Sequence, residues 1–366
     1  MNRLKKFSPL FAFASLFLSL TSVAFGASAF RQEIKNIDVK LEGSYWVSDW
    51  VEVEIPENLA SFQIISMVSP NVHVQITDLI APDGTVYARS DFKLPMTIYS
   101  QPIIRNVVSL NRTSGVVKGI SSVIVPNNPL LPSPPAGVWK FRALNHNKPE
   151  ILKNSFIVIG KGQEEMNKNK LEVRVWISPD SYWTEEPDHV DKVLAETRKN
   201  LLDVGVELQV LSLKIMTEKQ MKPMELPEDM ATVALKLNNS DALNVYFMPI
   251  MKDQSKPVNG LACIAGPLES GLKHPCFVSL YADPAVANSV TVQSQGKILT
   301  HEIGHYLGLY HTVDEGFYLI KKAFDTMTDT SEEITGENMM DPGIHNVEPH
   351  FSAQQKSILR LSPILR

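Results

Sequence analysis

The chain has 366 residues, of which 44% are hydrophobic and 20% charged, and its formal net charge is −5. That length suits two domains of ordinary size, each able to bury a core, and the composition excludes a disordered chain. Without a basic excess no nucleic-acid partner is expected, and two cysteines, Cys263 and Cys276, are too few for a four-cysteine zinc ribbon, an iron–sulfur protein or a disulfide-dense scaffold.

Residues 1–29 read as an export signal. Arg3, Lys5 and Lys6 supply a basic start, an apolar run extends from Pro9 to Phe25, and small residues from Ala24 to Ala29 close it. The apolar run is short of the ~20 residues that a spanning helix needs. A cleaved signal is therefore expected, with no stable membrane span after its removal. The mature chain would be secreted, or held in the periplasm or cell envelope.

Residues 30–160 read as all-β. Short apolar or alternating runs recur at Val51–Ile55, Phe62–Val68, Val72–Ile76, Val107–Leu110, Val123–Val125, Val138–Phe141 and Phe156–Ile159. Turn signals separate them, such as Pro82-Asp83-Gly84 and the proline-rich stretch from Pro132 to Gly137. This predicts an N-terminal β-sandwich, serving as an accessory or pro-domain. Asn111 and Thr113 fit a glycosylation acceptor. Residues 161–170 are polar and carry glycine and lysine, so a linker and domain boundary are expected there.

Residues 171–366 change pattern to α/β. Strands are expected at Leu171–Ile177, Val206–Leu213, Ala242–Phe247 and Cys276–Tyr281. Helical spacing over Asp188–Leu202 predicts a helix with Asp188 as its N-cap and Gly205 beyond its end. A last helix begins around Val292.

That helix carries His301-Glu302-Ile303-Gly304-His305-Tyr306-Leu307-Gly308-Leu309-Tyr310-His311. Four residues make about one helical turn, so His301 and His305 project from one face and can grip one ion. Glu302 can reach a water held by that ion and act as general base. Gly308 supplies a left-handed turn that ends the helix and lets His311 return as a third ligand. Three nitrogens with one open position describe a catalytic Zn2+ site.

This pattern resembles the metzincin clan of zinc peptidases, with the likeness nearest to pappalysin-like and related bacterial secreted members. The clan places a methionine in a tight turn beneath the metal, and Asn338-Met339-Met340-Asp341 matches it, with Met340 favoured and Met339 as the fallback. Thr312, the Asp325–Thr330 stretch, and Phe351 with Ser352 and Gln355 also resemble those members; Ser352 would cap a closing helix. Pro342 stands where some clan members carry a tyrosine ligand, so no such ligand is expected. The resemblance implies a C-terminal metzincin-like domain acting on protein or peptide substrates. It also implies an extended peptide lying on an edge strand within Gly260–Phe277.

Two rival functions stay open: an exported zinc hydrolase of a non-peptide amide, and a surface binding protein whose peptidase domain is inactive. Asp314, Glu315, Asp325, Asp329 and Asp341 could hold Ca2+, although no EF-hand spacing is present. His345 and His350 lie near the methionine turn and read as surface residues. Cys263 and Cys276 are the only pair in an exported chain and flank a short loop, so a disulfide between them is expected.

Overall fold

The computed structural model describes residues 30–366 apart from 89–116, 128–132, 180–181, 186, 218–226, 238–241, 250, 254–255, 268–273, 283–290, 318–319, 326 and 343–347. The expected signal segment, the strand expected at Val107–Leu110, Asn111 and His345 lie outside the described residues.

The first nine strands are β1 Phe30–Glu42, β2 Tyr45–Ser48, β3 Val51–Ile55, β4 Leu59–Met67, β5 Val74–Ile80, β6 Val86–Ala88, β7 Ile120–Val125, β8 Gly137–Asn145 and β9 Lys153–Gly162. They form one sheet in the order β6-β5-β8-β2-β1-β9-β4-β7, with β3 also paired to β8. The first part of β1 pairs with β9 and its last part with β2, so this long strand runs through both halves. The sheet curls on itself. Phe62, Ile64, Phe156 and Val158 from one half meet Val53, Ile76, Trp139 and Phe141 from the other. Phe62 stands edge-on to Trp139, with ring centroids 5.1 Å apart. In place of a sandwich of two separate sheets there is a single curled sheet, because β1 joins the two layers.

β3 shows the alternation of a strand with one wet face. β4 differs, being buried on both faces: Phe62 and Ile64 point into the curl, while Ile65 joins the core of the C-terminal half. The outer face of β4, β7 and β9 thus packs on the rest of the chain.

The remaining elements are β10 Lys170–Ile177, α1 Tyr182–Glu185, α2 Pro187–Asp203, β11 Glu207–Ile215, α3 Pro227–Leu237, β12 Leu243–Pro249, β13 Met251–Asp253, β14 Lys256–Val258, β15 Gly260–Ala262, β16 Val278–Ala282, α4 Val292–Tyr306, β17 Val313–Phe317, β18 Ile320–Phe324 and α5 Ala353–Leu361. A second sheet has the order β11-β10-β12-β16-β15. Its first four strands are parallel, and β15 is an antiparallel edge. Parallel neighbours need crossovers, and α2 and α3 provide those that link β10, β11 and β12. Among the described residues no helix is long and apolar enough to cross a membrane.

Two local expectations shift. α2 starts at Pro187, so Asp188 lies in its first turn instead of capping it. Proline suits that first position because its missing N–H would have had no partner there. Residues 161–170 are not an open tether. Lys161 and Gly162 end β9, Gln163–Glu165 is a 3-10 turn, and Lys170 starts β10. Buried Lys161 donates from Nζ to Lys168 O at 3.0 Å and Arg360 O at 2.7 Å, and burial pulls its ammonium down to about 8. We propose the domain boundary at this segment, where antiparallel pairing gives way to parallel.

Cys263 and Cys276 are free and buried, so the expected disulfide is not formed. Cys263 extends the β15 ladder, its N–H donating to Phe277 O at 3.1 Å. Burial, with a hydrogen bond from the Cys276 thiol to the neighbouring Cys263 side chain, pushes the Cys276 thiol well up. Disulfide exchange needs the thiolate, and this environment suppresses it. Protein unfolded without reductant should therefore expose both thiols to a labelling reagent. The native protein should react slowly. Unfolded protein that labels at neither cysteine would contradict this.

Candidate metal centre

α4 is held at both ends by its own sequence. Thr291 caps the start, its side chain accepting from Ser294 N at 3.1 Å. At the other end Gly308 has φ of 111°. Gly308 N donates to His305 O and Leu309 N to Gly304 O, both at 2.9 Å. This is the paired carbonyl capping of a Schellman turn. The chain then doubles back and brings His311 over the helix.

The three histidines meet. His311 Nε2 lies 3.1 Å from His301 Nε2 and 3.1 Å from His305 Nε2. The second nitrogen of two rings is committed: His301 Nδ1 bonds to Met339 O at 2.7 Å and His305 Nδ1 to Leu309 O at 2.8 Å. A carbonyl only accepts, so in the neutral rings each Nδ1 carries the proton and each Nε2 keeps a bare lone pair. Tetrahedral coordination at 2.0–2.1 Å separates ligand nitrogens by roughly 3.3 Å. Three converging ring nitrogens, with His311 at nearly that spacing from the other two, fit a zinc ion.

Glu302 is buried beside them, and without a metal burial lifts its carboxyl to about 8. A cation in the histidine cluster would draw it back down. β15 passes directly over it. A Cβ on Gly260 would lie 2.5 Å from Glu302 Oε1, so glycine is what lets the edge strand approach.

The methionine turn sits beneath. A Cβ on Gly304 would lie 2.7 Å from Met340 Sδ, which places the Met340 side chain under α4. Met339 contributes its carbonyl to His301. Asn338 closes the turn, its Oδ1 accepting from Met340 N at 2.8 Å, and its backbone bridges to exposed His350.

The acidic residues behave differently from a calcium site. Buried Asp341 accepts from the Thr312 hydroxyl, from Thr335 N at 3.1 Å, from Thr335 Oγ1 at 3.2 Å and from Gly336 N at 2.8 Å. Asp329 accepts from Ser352 Oγ and Gln354 N at the start of α5. Asp325 Oδ1 accepts from Thr330 Oγ1 and Met327 N, and burial raises its carboxyl to about 6. Both oxygens of Asp329 and Asp341 are occupied by protein donors, Asp325 Oδ2 has no hydrogen-bond partner among the described residues, the side chains of Asp314 and Glu315 lie outside the described residues, and calcium is not supported. The positioning role of Asp341 is not apparent from the sequence; its place directly after the methionine turn is the signal that could have found it. Ser352 caps α5 as expected, in a capping box with Gln355.

Residues 228–357 match the family described as pregnancy-associated plasma protein-A, peptidase family M43. An extracellular metalloprotease of Arthroderma gypseum is 33% identical over 89 residues, covering 22% of this chain and 27% of that protein. One from Arthroderma benhamiae is 30% identical over 104 residues, covering 26% of this chain and 32% of that protein. This chain thus spans about a third or less of the length of these curated relatives. Among solved structures, metalloproteinase-II from Bacteroides fragilis aligns over 93% of both chains at 12% identity and TM-score 0.35. Archaemetzincin from Methanopyrus kandleri aligns over 53% of this chain and 88% of its own at 14% identity and TM-score 0.29. Likenesses this loose add nothing to the sequence match. The segment that carries the histidine cluster is of the zinc metallopeptidase class. Within that class, the match of residues 228–357 is to the pappalysin-like family.

Proposed function

We propose that the chain is an exported zinc endopeptidase, with His301, His305 and His311 as the metal ligands. The observation that carries this reading is the convergence of three histidine Nε2 atoms beside a buried carboxylate, under the edge of a sheet. Zinc supplies Lewis acidity there, lowering the pKa of a water and polarising a carbonyl. Glu302 is the general base: its carboxylate takes a proton from the attacking water and passes it to the leaving amine nitrogen. His301 and His305 are kept in the ligating tautomer by Met339 O and Leu309 O. Among the described residues β15 pairs only with β16, so its outer edge can take an extended peptide through backbone hydrogen bonds. That favours a peptide over a small amide. Export is supported by the basic, apolar and small-residue order of residues 1–29.

A casein or gelatin zymogram with and without a chelator tests this reading. Clearing that is lost with chelator and restored by zinc is expected. Zinc-loaded full-length chain that clears nothing would overturn it and favour a non-peptide amide or an inactive binding protein.

Gly260→Ala probes the same geometry. The added methyl must displace the Glu302 carboxylate, and a misplacement of about 1 Å costs on the order of 10^2-fold. Zinc content should be unchanged while kcat falls by ~10–10^2-fold. Full activity in this variant would show that β15 does not confine the base.

A further inference from the structure

The curled sheet reaches the metal-site elements through three buried polar side chains. Gln63 on β4 donates from Nε2 to Ala265 O at 2.9 Å and Gly266 O at 3.3 Å. The Ser122 hydroxyl on β7 donates to the same Ala265 carbonyl. Asn127, just after β7, donates from Nδ2 to Gly308 O at 3.0 Å. Each of these carbonyls flanks the histidine stripe. Ala265 N in turn donates to His305 O at 2.9 Å, and Gly266 N to Tyr306 O at 3.0 Å.

We propose that the first sheet is a working part of the metal site, with Gln63, Ser122 and Asn127 as positioning residues. They lock the C-terminal end of α4 and so set His305 and His311. This rests on the reading of the three histidines as a zinc site. The Ala265–Gly266 turn adds a second donor to His305 O and pairs Tyr306 O, a carbonyl of the kind a helix end otherwise leaves open. It does so at a strained point, since Ala265 has φ of 52°. A non-glycine residue persists in that region only where its surroundings over-determine it. Gln63 and Ser122 are those surroundings, being 0% and 1% exposed. On the other side, Ile124 Cδ1 lies 3.1 Å from where a Cβ of Gly308 would stand. The turn that redirects the chain toward His311 is therefore held by Asn127 and backed by Ile124. A sheet that merely accompanied the peptidase half would not need buried amides aimed at these particular carbonyls. Burying them unpaired would be costly, so the match couples the two halves.

Coupling is reciprocal, so it can be read from either end. Zinc affinity, measured by competition with a chromophoric chelator, should fall by ~5–10-fold in Asn127→Ala and in Gln63→Ala, the lower end of what supporting partners of a metal site cost. Asn154→Ala is the control, because Asn154 is equally buried in the same sheet but bonds to Asn145, away from the site. It should lower the melting temperature and leave zinc affinity as in wild type. Folded Asn127 and Gln63 variants with wild-type affinity would overturn the proposal, as would a control that weakens zinc equally. Hydrogen exchange on the unaltered chain decides the matter if the variants do not fold. Adding zinc should slow exchange in residues 59–67 and 120–127 as well as in α4. Protection confined to residues after 290 would sink the coupling. Neither readout needs turnover, so a chain that binds zinc but cleaves no peptide would refute the peptidase reading and leave this one standing.

Discussion

Replacing Glu302 by glutamine is expected to reduce peptide hydrolysis by ~10^2–10^4-fold, the usual share of general acid–base assistance. The substitution keeps the side chain's shape and leaves His301, His305 and His311 untouched, so about one zinc per chain should remain. Replacing any of the three histidines by alanine behaves otherwise, removing a ligand and with it both zinc and activity. Metal analysis beside a peptide assay separates the two patterns. A fully active Glu302→Gln protein would show that the carboxylate is not the base. The difference follows from where the groups sit: the histidine Nε2 atoms face one another at 3.1 Å, whereas Glu302 stands aside under Gly260.

The metal stripe is legible in the sequence because every feature of it is local. His301 and His305 are one turn apart, Gly308 permits the positive φ that ends the helix, and His311 follows within three residues. The parallel core is legible for a similar reason, since Leu171–Ile177 alternates buried apolar with half-buried residues and Ala242–Phe247 is a mostly apolar run buried on both faces. What escapes is non-local. The curl of the first sheet depends on β1 pairing with β9 at one end and β2 at the other, and its mixed sequence from Phe30 to Glu42 carries little alternation. α3 goes unpredicted although two parallel strands on either side of β10 require a crossover. Buried thiols side by side look the same in sequence as a disulfide. The acidic residues after the motif offer oxygen donors in plenty, but only three-dimensional placement shows that Asp329, Asp341 and one oxygen of Asp325 are already taken by threonine, serine and backbone donors.

Asp341 is where that placement has its largest consequence. Asp341→Asn should destabilise the fold by ~1–3 kcal/mol and also weaken zinc by roughly tenfold. The carboxylate is fully buried and takes donors on both oxygens: Thr312 on Oδ1, Thr335 and Gly336 on Oδ2. An asparagine can serve one side only. With its oxygen turned to Thr335 and Gly336, its amide nitrogen faces the buried Thr312 hydroxyl, which loses its acceptor. Losing that partner costs about 1–3 kcal/mol. A loss of that size lowers the melting temperature by roughly 2–10 °C for a chain of two ordinary domains. The metal effect comes through Thr312, which directly follows His311. Its hydroxyl is fixed by Asp341, and its N–H donates to Met340 O at 3.1 Å. Releasing that clamp frees His311 from the methionine turn. Calorimetry and chelator competition on the same variant measure the two effects. A large drop in melting temperature with unchanged zinc affinity would mean that Asp341 serves the fold alone, and that His311 is placed by the Gly308 turn without help from the acidic residue.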